Sequence, residues 1–227
     1  MFQVPILIAL SVAPGLAIGI FIYWRDKFEK EPILIMATCF ILGMISILPA
    51  IYFENLPDTL GFNENPYSIS NTLISSYLFT GFVEEFCKFF FLLLFAYPRK
   101  AFSEPYDGIT YAVMVSLGFA TIENLHYVLK GGIDVALLRM FTAVPAHATF
   151  GVLMGYFTGL AKFRNHKKSY LLLGLLVATL FHGTYDFFLL LQIIPGLYLG
   201  AIISLVAGIL FSIKAIQIHS RIHRMSI

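Results

Sequence analysis

At 227 residues, 59% hydrophobic and 12% charged, the chain holds about half the charge of a soluble domain, in which charged residues make up roughly 25%. That excludes a water-solvated globule of this length, because too little polar surface remains to cover it. A formal net charge of +2 does not point to nucleic acid, and the two cysteines, Cys39 and Cys87, sit inside apolar runs and form neither a disulfide framework nor a Cys-x-x-Cys metal site.

In chain order, seven apolar stretches have the length that crosses a hydrocarbon core of roughly 30 Å as helix: Phe2–Trp24, Pro32–Phe53, Asn71–Tyr97, Gly108–Leu129, Ile133–Ala161, Ser169–Leu191 and Pro195–Ile213. The first lacks a basic n-region and is longer than a signal-peptide core, so it reads as a retained helix. The runs are continuous and do not alternate, which excludes a β-barrel and leaves helices as the way to satisfy the backbone in lipid. The links are short and carry the breakers, among them Pro57, Gly61 and Pro66 in Glu54–Ser70. The expected fold is therefore an all-α polytopic bundle of seven transmembrane helices. It forms one membrane-embedded domain over 1–227, with its core helices at about 71–191.

Basic residues set the expected orientation. Arg25, Lys27, Lys30, Arg99, Lys100, Lys162, Arg164, Lys167, Lys168, Lys214, Arg221 and Arg224 all fall on one side. The other side has only Lys130 and Arg139, and Lys88 lies within a span. By the positive-inside rule the N-terminus is outside and the C-terminus cytoplasmic. The tail 214–227 alternates isoleucines with basic residues and reads as an amphipathic interfacial anchor, its histidines as ordinary surface residues.

An ionisable side chain at membrane depth costs roughly 2.5–3.5 kcal/mol on insertion scales and is a functional candidate by default. Seven lie well inside spans: Glu84, Glu85, Lys88, Glu123, His147, His182 and Asp186. At 1.5 Å per residue, Glu84, His147 and His182 each lie roughly 20 Å from one end of their span, and Glu123 about 22 Å up the fourth. Four helices thus deliver polar groups to one layer. Glu84 and Lys88 are i and i+4 on one face, as are His182 and Asp186, so each pair can touch. Small residues nearby (Gly81, Gly118, Ala120, Ala146, Gly151, Gly183) allow close helix approach and room for a substrate.

Taken singly, Glu84–Lys88 could be a buried structural ion pair and His147 an interhelical hydrogen bond. Glu123 and His126 form a Glu-x-x-His pair, but a di-iron bundle needs two such copies and only one is present. Glutamates and histidines with no serine or cysteine paired to a base suggest an activated water, with histidines binding Zn²⁺ or stabilising an oxyanion. Peptide hydrolysis is one product of such a set. A proton- or ion-coupled transporter is the alternative, and the lack of an internal repeat argues against it.

At these residues the chain resembles the PrsW family of membrane proteases. Glu84-Glu85-Phe86-Cys87-Lys88 is similar to its EExxK motif, Phe119 to Glu123-Asn124 to its FxxxEN motif, His147 to its isolated histidine, and His182 to Asp186 to its HxxxD motif. The resemblance spans the third to sixth helices in order. The wider superfamily of CAAX prenyl endopeptidases and bacteriocin-immunity proteins carries EExxxR and FxxxH instead. Here Lys88 stands four places after Glu84, and Glu123 stands where that histidine would be.

The resemblance implies a multi-pass peptidase of the bacterial plasma membrane that makes the first, outward-side cut in a single-span anti-sigma factor during a stress response. Glu84 and Glu85 would polarise and deprotonate the water. Glu123, His147 and His182 would bind a metal such as zinc, or stabilise the oxyanion. Lys88 would position a glutamate and Asp186 would orient His182. The acidic loop Glu54–Ser70, with no Lys or Arg, would border substrate entry.

Overall fold

The computed structural model describes residues 3–25 and 30–225, without the side chains of Gln3 and 221–225. Phe2, Lys27 and the side chains of Arg221, His223 and Arg224, on which part of the orientation and tail reading rests, lie outside the described residues. Those described form helices and no strand. They run α1 (Gln3–Arg25), α2 (Ile33–Glu54), a single turn α3 (Leu56–Thr59), α4 (Ile69–Ile74), α5 (Val83–Phe91), α6 (Pro105–Phe141), α7 (Ala143–Phe163), α8 (Lys167–Leu190) and α9 (Tyr198–Met225). Five stretches are apolar and long enough to cross a membrane.

Two features adjust a simple picture of rods. The third apolar run is one helical rod over 69–96 in which α4 and α5 are joined and followed by π-helical stretches, Ser75–Phe82 and Leu92–Ala96. π-turns widen the backbone spiral and occur often beside functional sites. The first of them packs on α8, where Gly81 meets the backbone of Gly183 and Tyr77 donates to or accepts from Thr184 at 2.7 Å.

The second feature is a hairpin. The 59-residue stretch Pro105–Phe163 reverses at Gly132, whose φ of +72° and ψ of −158° are open to glycine and strained for any other residue. From there the chain returns antiparallel to itself in constant register. Arg139 meets Asn124, the carbonyl of His147 meets Ser116, Gly155 meets Gly108, and Gly159 meets the backbone of Pro105. The glycines let the two arms approach to backbone contact, the small-residue packing that substitutes for a hydrophobic drive in lipid. A break at Thr142 (φ −121°, ψ −75°) separates the first returning turns, 133–141, from α7. Gly43 of α2 and Gly118 of α6 make a second close crossing against Val115 and Phe40.

At one end of the bundle, Glu104 and Asp107 cap α6 reciprocally, with Pro105 at its first position. Asp107 Oδ2 accepts from the amides of Ser103 (2.7 Å) and Glu104 (2.8 Å). The Tyr111 hydroxyl donates to Glu31, and Lys162 Nζ donates to the carbonyls of Tyr97 and Arg99, the latter at 2.9 Å. These contacts join the links 30–31, 97–107 and the end of α7 at one face. At the opposite end the loop before α4 is tied to the loop after α8, Gln192 N donating to Pro66 O at 2.8 Å.

The tail expectation needs one correction. α9 runs unbroken from Tyr198 to Met225, and His219 is no surface residue: it is 1% exposed and stacks on Tyr156 at 4.4 Å. Neither free cysteine departs from expectation; both are buried.

Candidate active site

Glu84, Glu85 and Lys88 project from α5, Glu123 from the ascending arm of α6, His147 from the second turn of α7, and His182 with Asp186 from α8. All seven converge. Helical Cα–Cβ bonds tilt toward the helix N-terminus, so Glu123 on the rising arm slants toward His147 on the falling arm, and their side chains meet although Ser116 is the residue level with His147. His147 Nε2 lies 2.6 Å from Glu123 Oε2.

The contacts form one connected chain of side chains. Lys88 Nζ donates to Glu84 Oε2 (3.0 Å) and Glu85 Oε1 (2.8 Å) and lies 3.1 Å from His147 Nδ1. The ammonium also sits over the Phe119 ring, 4.0 Å from its centroid. Glu85 Oε1 is 2.9 Å from His182 Nδ1, and His182 Nε2 is 3.3 Å from Asp186 Oδ2. Phe150 stacks on the His182 imidazole at 4.7 Å and 18°, fixing its plane. Glu85 is 0% exposed and Lys88 1%; Glu84, His147 and His182 are also buried. Interactions between such groups are strong because little water screens them.

Ligand-capable atoms of Glu84, Glu85, His147 and His182 lie within 4.8 Å of one another. Two carboxylates and two imidazoles are a donor set suited to zinc and its neighbours. Glu85 Oε2, buried and without a hydrogen-bond partner, is the kind of orphan that a bound cation or water would satisfy. The residues therefore fit a divalent metal. Glu123 stands outside this group, behind His147, so the trio of Glu123, His147 and His182 expected from sequence is divided between the inside and the back of the site.

Two groups escaped the sequence reading. Arg139, counted only as an outer-side charge, reaches back across the hairpin: Nη2 lies 2.9 Å from Glu123 Oε1, and Nε donates to Asn124 Oδ1 at 2.8 Å. Its signal was an arginine within an apolar run, interpretable once the turn at Gly132 sets the register. Glu54, at the end of α2, lies close enough to Glu84, Glu123, His182 and Lys88 to interact electrostatically with each, and its Oε1 is buried without a hydrogen-bond partner. The sequence places it at the start of the acidic loop, whereas it ends α2. His126 is exposed, faces Lys130 at 2.9 Å, and has no part in the cluster.

The profile of the family described as "PrsW family intramembrane metalloprotease" matches residues 31–213, which include every residue of the cluster. Protease PrsW of Geobacillus kaustophilus (strain HTA426) is 36% identical over 195 residues, 86% of this chain and 84% of the relative. Protease PrsW of Bacillus subtilis (strain 168) is 36% identical over 185 residues, covering 81% and 82%. Protease PrsW of Clostridioides difficile (strain 630) is 33% identical over 212 residues, covering 90% and 85%. No solved structure matches the chain.

Proposed function

Because the chain belongs to the PrsW family of intramembrane proteases, we propose that it hydrolyses a peptide bond of a single-span membrane protein, of the anti-sigma-factor type, by water activated on Glu84 and Glu85. The single observation that carries this is the buried set of four donor atoms within 4.8 Å, built from side chains of three separate helical rods.

Lys88 engages Oε2 of Glu84 and Oε1 of Glu85, which leaves the other oxygen of each carboxylate to take the proton of the attacking water. A base so placed contributes typically 10²- to 10⁴-fold. His182 is held in orientation by Glu85 and Asp186, and the glutamate that takes the proton of the water passes it to the leaving amine. Glu123 fixes the ring of His147, and Arg139 fixes Glu123, the outer support that a ligating or proton-donating imidazole needs. Glu84, Glu85, His147 and His182 would hold the metal. When bound, a zinc-class ion polarises the scissile carbonyl and acidifies water.

Seven crossings, an external N-terminus, a cytoplasmic tail and residence in the bacterial plasma membrane complete the reading. On it, the cluster opens toward the outer face, and the loop containing Asp58 and Glu64 borders substrate entry. That fits an outward-side cut. The test is mass-spectrometric mapping of the cut in a single-span substrate reconstituted with the purified protein in liposomes. Cleavage near the outer border of the substrate helix, abolished by a zinc chelator and restored by Zn²⁺, is expected. No cleavage of several single-span substrates, or cleavage indifferent to both glutamates, would sink the proposal.

A further inference from the structure

Lys88 occupies a place with two claimants. Its ammonium contacts Glu84 Oε2, Glu85 Oε1 and His147 Nδ1 at 3.0, 2.8 and 3.1 Å, three of the four groups that could hold a metal. It is 1% exposed, so water does not share those contacts.

The tautomer of His147 makes the conflict strict. An ammonium has donors and no acceptor, so His147 Nδ1 must be the acceptor, presenting its lone pair to Lys88. Nε2 then carries the proton and donates it to Glu123 Oε2 at 2.6 Å. A neutral imidazole has one such lone pair in its plane, and it is the same pair a metal would take. Metal–nitrogen and metal–oxygen bonds of about 2 Å would also bring a divalent ion almost onto the ammonium. In this dry setting the repulsion is not screened. Charge balance, in contrast, leaves room for the exchange: Glu84 and Glu85 present two carboxylates to one ammonium.

We infer that Lys88 is the resident cation of the site, and that a divalent metal binds His147 only by displacing the ammonium from its Nδ1. The lysine holds the acid pair and His147 in ligating positions while the metal is away, and it sets how tightly the metal is held. This rests on the reading of the four residues as a metal site and goes beyond positioning a glutamate.

The experiment measures Zn²⁺ binding to the purified full chain in detergent by calorimetry, together with the Zn²⁺-induced rise in melting temperature. Lys88→Met removes the competitor and keeps an unbranched side chain one atom shorter. It is expected to bind Zn²⁺ at least tenfold more tightly than wild type and to show a larger melting shift, because unpaired buried carboxylates make the metal-free variant fragile. Lys88→Arg keeps a cation on both carboxylates and is expected to bind at least tenfold more weakly than Lys88→Met. Should the methionine variant fail to fold without metal, Lys88→Gln, also neutral, takes its place with the same expectation, and Zn²⁺ binding by it equal to or weaker than wild type overturns the inference. Equal or weaker Zn²⁺ binding by Lys88→Met also overturns it. Because binding is read directly, a protein that follows these affinities yet cleaves nothing would contradict the protease proposal and leave this one standing.

Discussion

Two buried charge clusters lie about 24 Å apart along α6, from Asp107 to Glu123, and are built on opposite principles. At Asp107 the carboxylate accepts from backbone amides, and nearby Lys162 donates to backbone carbonyls. Charge there is matched to groups that helix ends leave unsatisfied, so it closes the fold. At Glu84, Glu85, Lys88, His147 and His182, side chains are matched to one another, and the backbone has no share in those contacts. Protons and cations can move among such partners without unhooking a helix. One cluster is where the bundle is fastened, and the other is where it can do chemistry.

The sharpest way to break that contrast is at the acid pair. Glu85→Gln keeps the shape and an acceptor for Lys88 but removes the proton-accepting carboxylate. Cleavage should fall by about 10²–10⁴-fold, measured as initial rate on a single-span substrate, with cooperative unfolding retained. Next comes Asp107→Ala, which should do the reverse. It removes the N3 half of the capping box and leaves the amides of Ser103 and Glu104 without their acceptor, a loss of about 1–3 kcal/mol. The melting temperature in detergent should drop clearly, while turnover per folded molecule stays within about threefold, a bound that a role confined to folding implies. The smallest effect belongs to Arg139→Gln, which leaves Glu123 on His147 but frees it on the other side. Turnover should fall about tenfold, or ~1.4 kcal/mol of transition-state stabilisation, with a melting change smaller than that of Asp107→Ala.

Much of the buried cluster is legible in the sequence because two rules act locally. An i,i+4 spacing on a helix places Glu84 by Lys88 and His182 by Asp186, and both pairs are in contact. The cost of an ionisable group in lipid identified the other members without a structure. Groups whose partners depend on register between helices stayed hidden. Arg139 reaches Glu123 through a reversal that Gly132 sets, and Glu54 enters through the end of α2, which apolar patterning cannot distinguish from a loop. His219 misled for a related reason: basic neighbours suggest a surface, yet it packs on Tyr156 and beside Gly159, whose missing side chain leaves it room. The first π-helical stretch of the third rod packs on Gly183, a contact that no single-helix pattern records.

The most direct test of the central claim compares wild type with a Glu84→Gln/Glu85→Gln double variant in the same liposomes, scoring cleavage of one single-span substrate against the fraction of folded protein. The account predicts a folded, membrane-inserted double variant that cuts nothing above background. Cleavage surviving in the folded variant, or lost only in proportion to folded protein, would contradict it and make the acid pair part of the fastening.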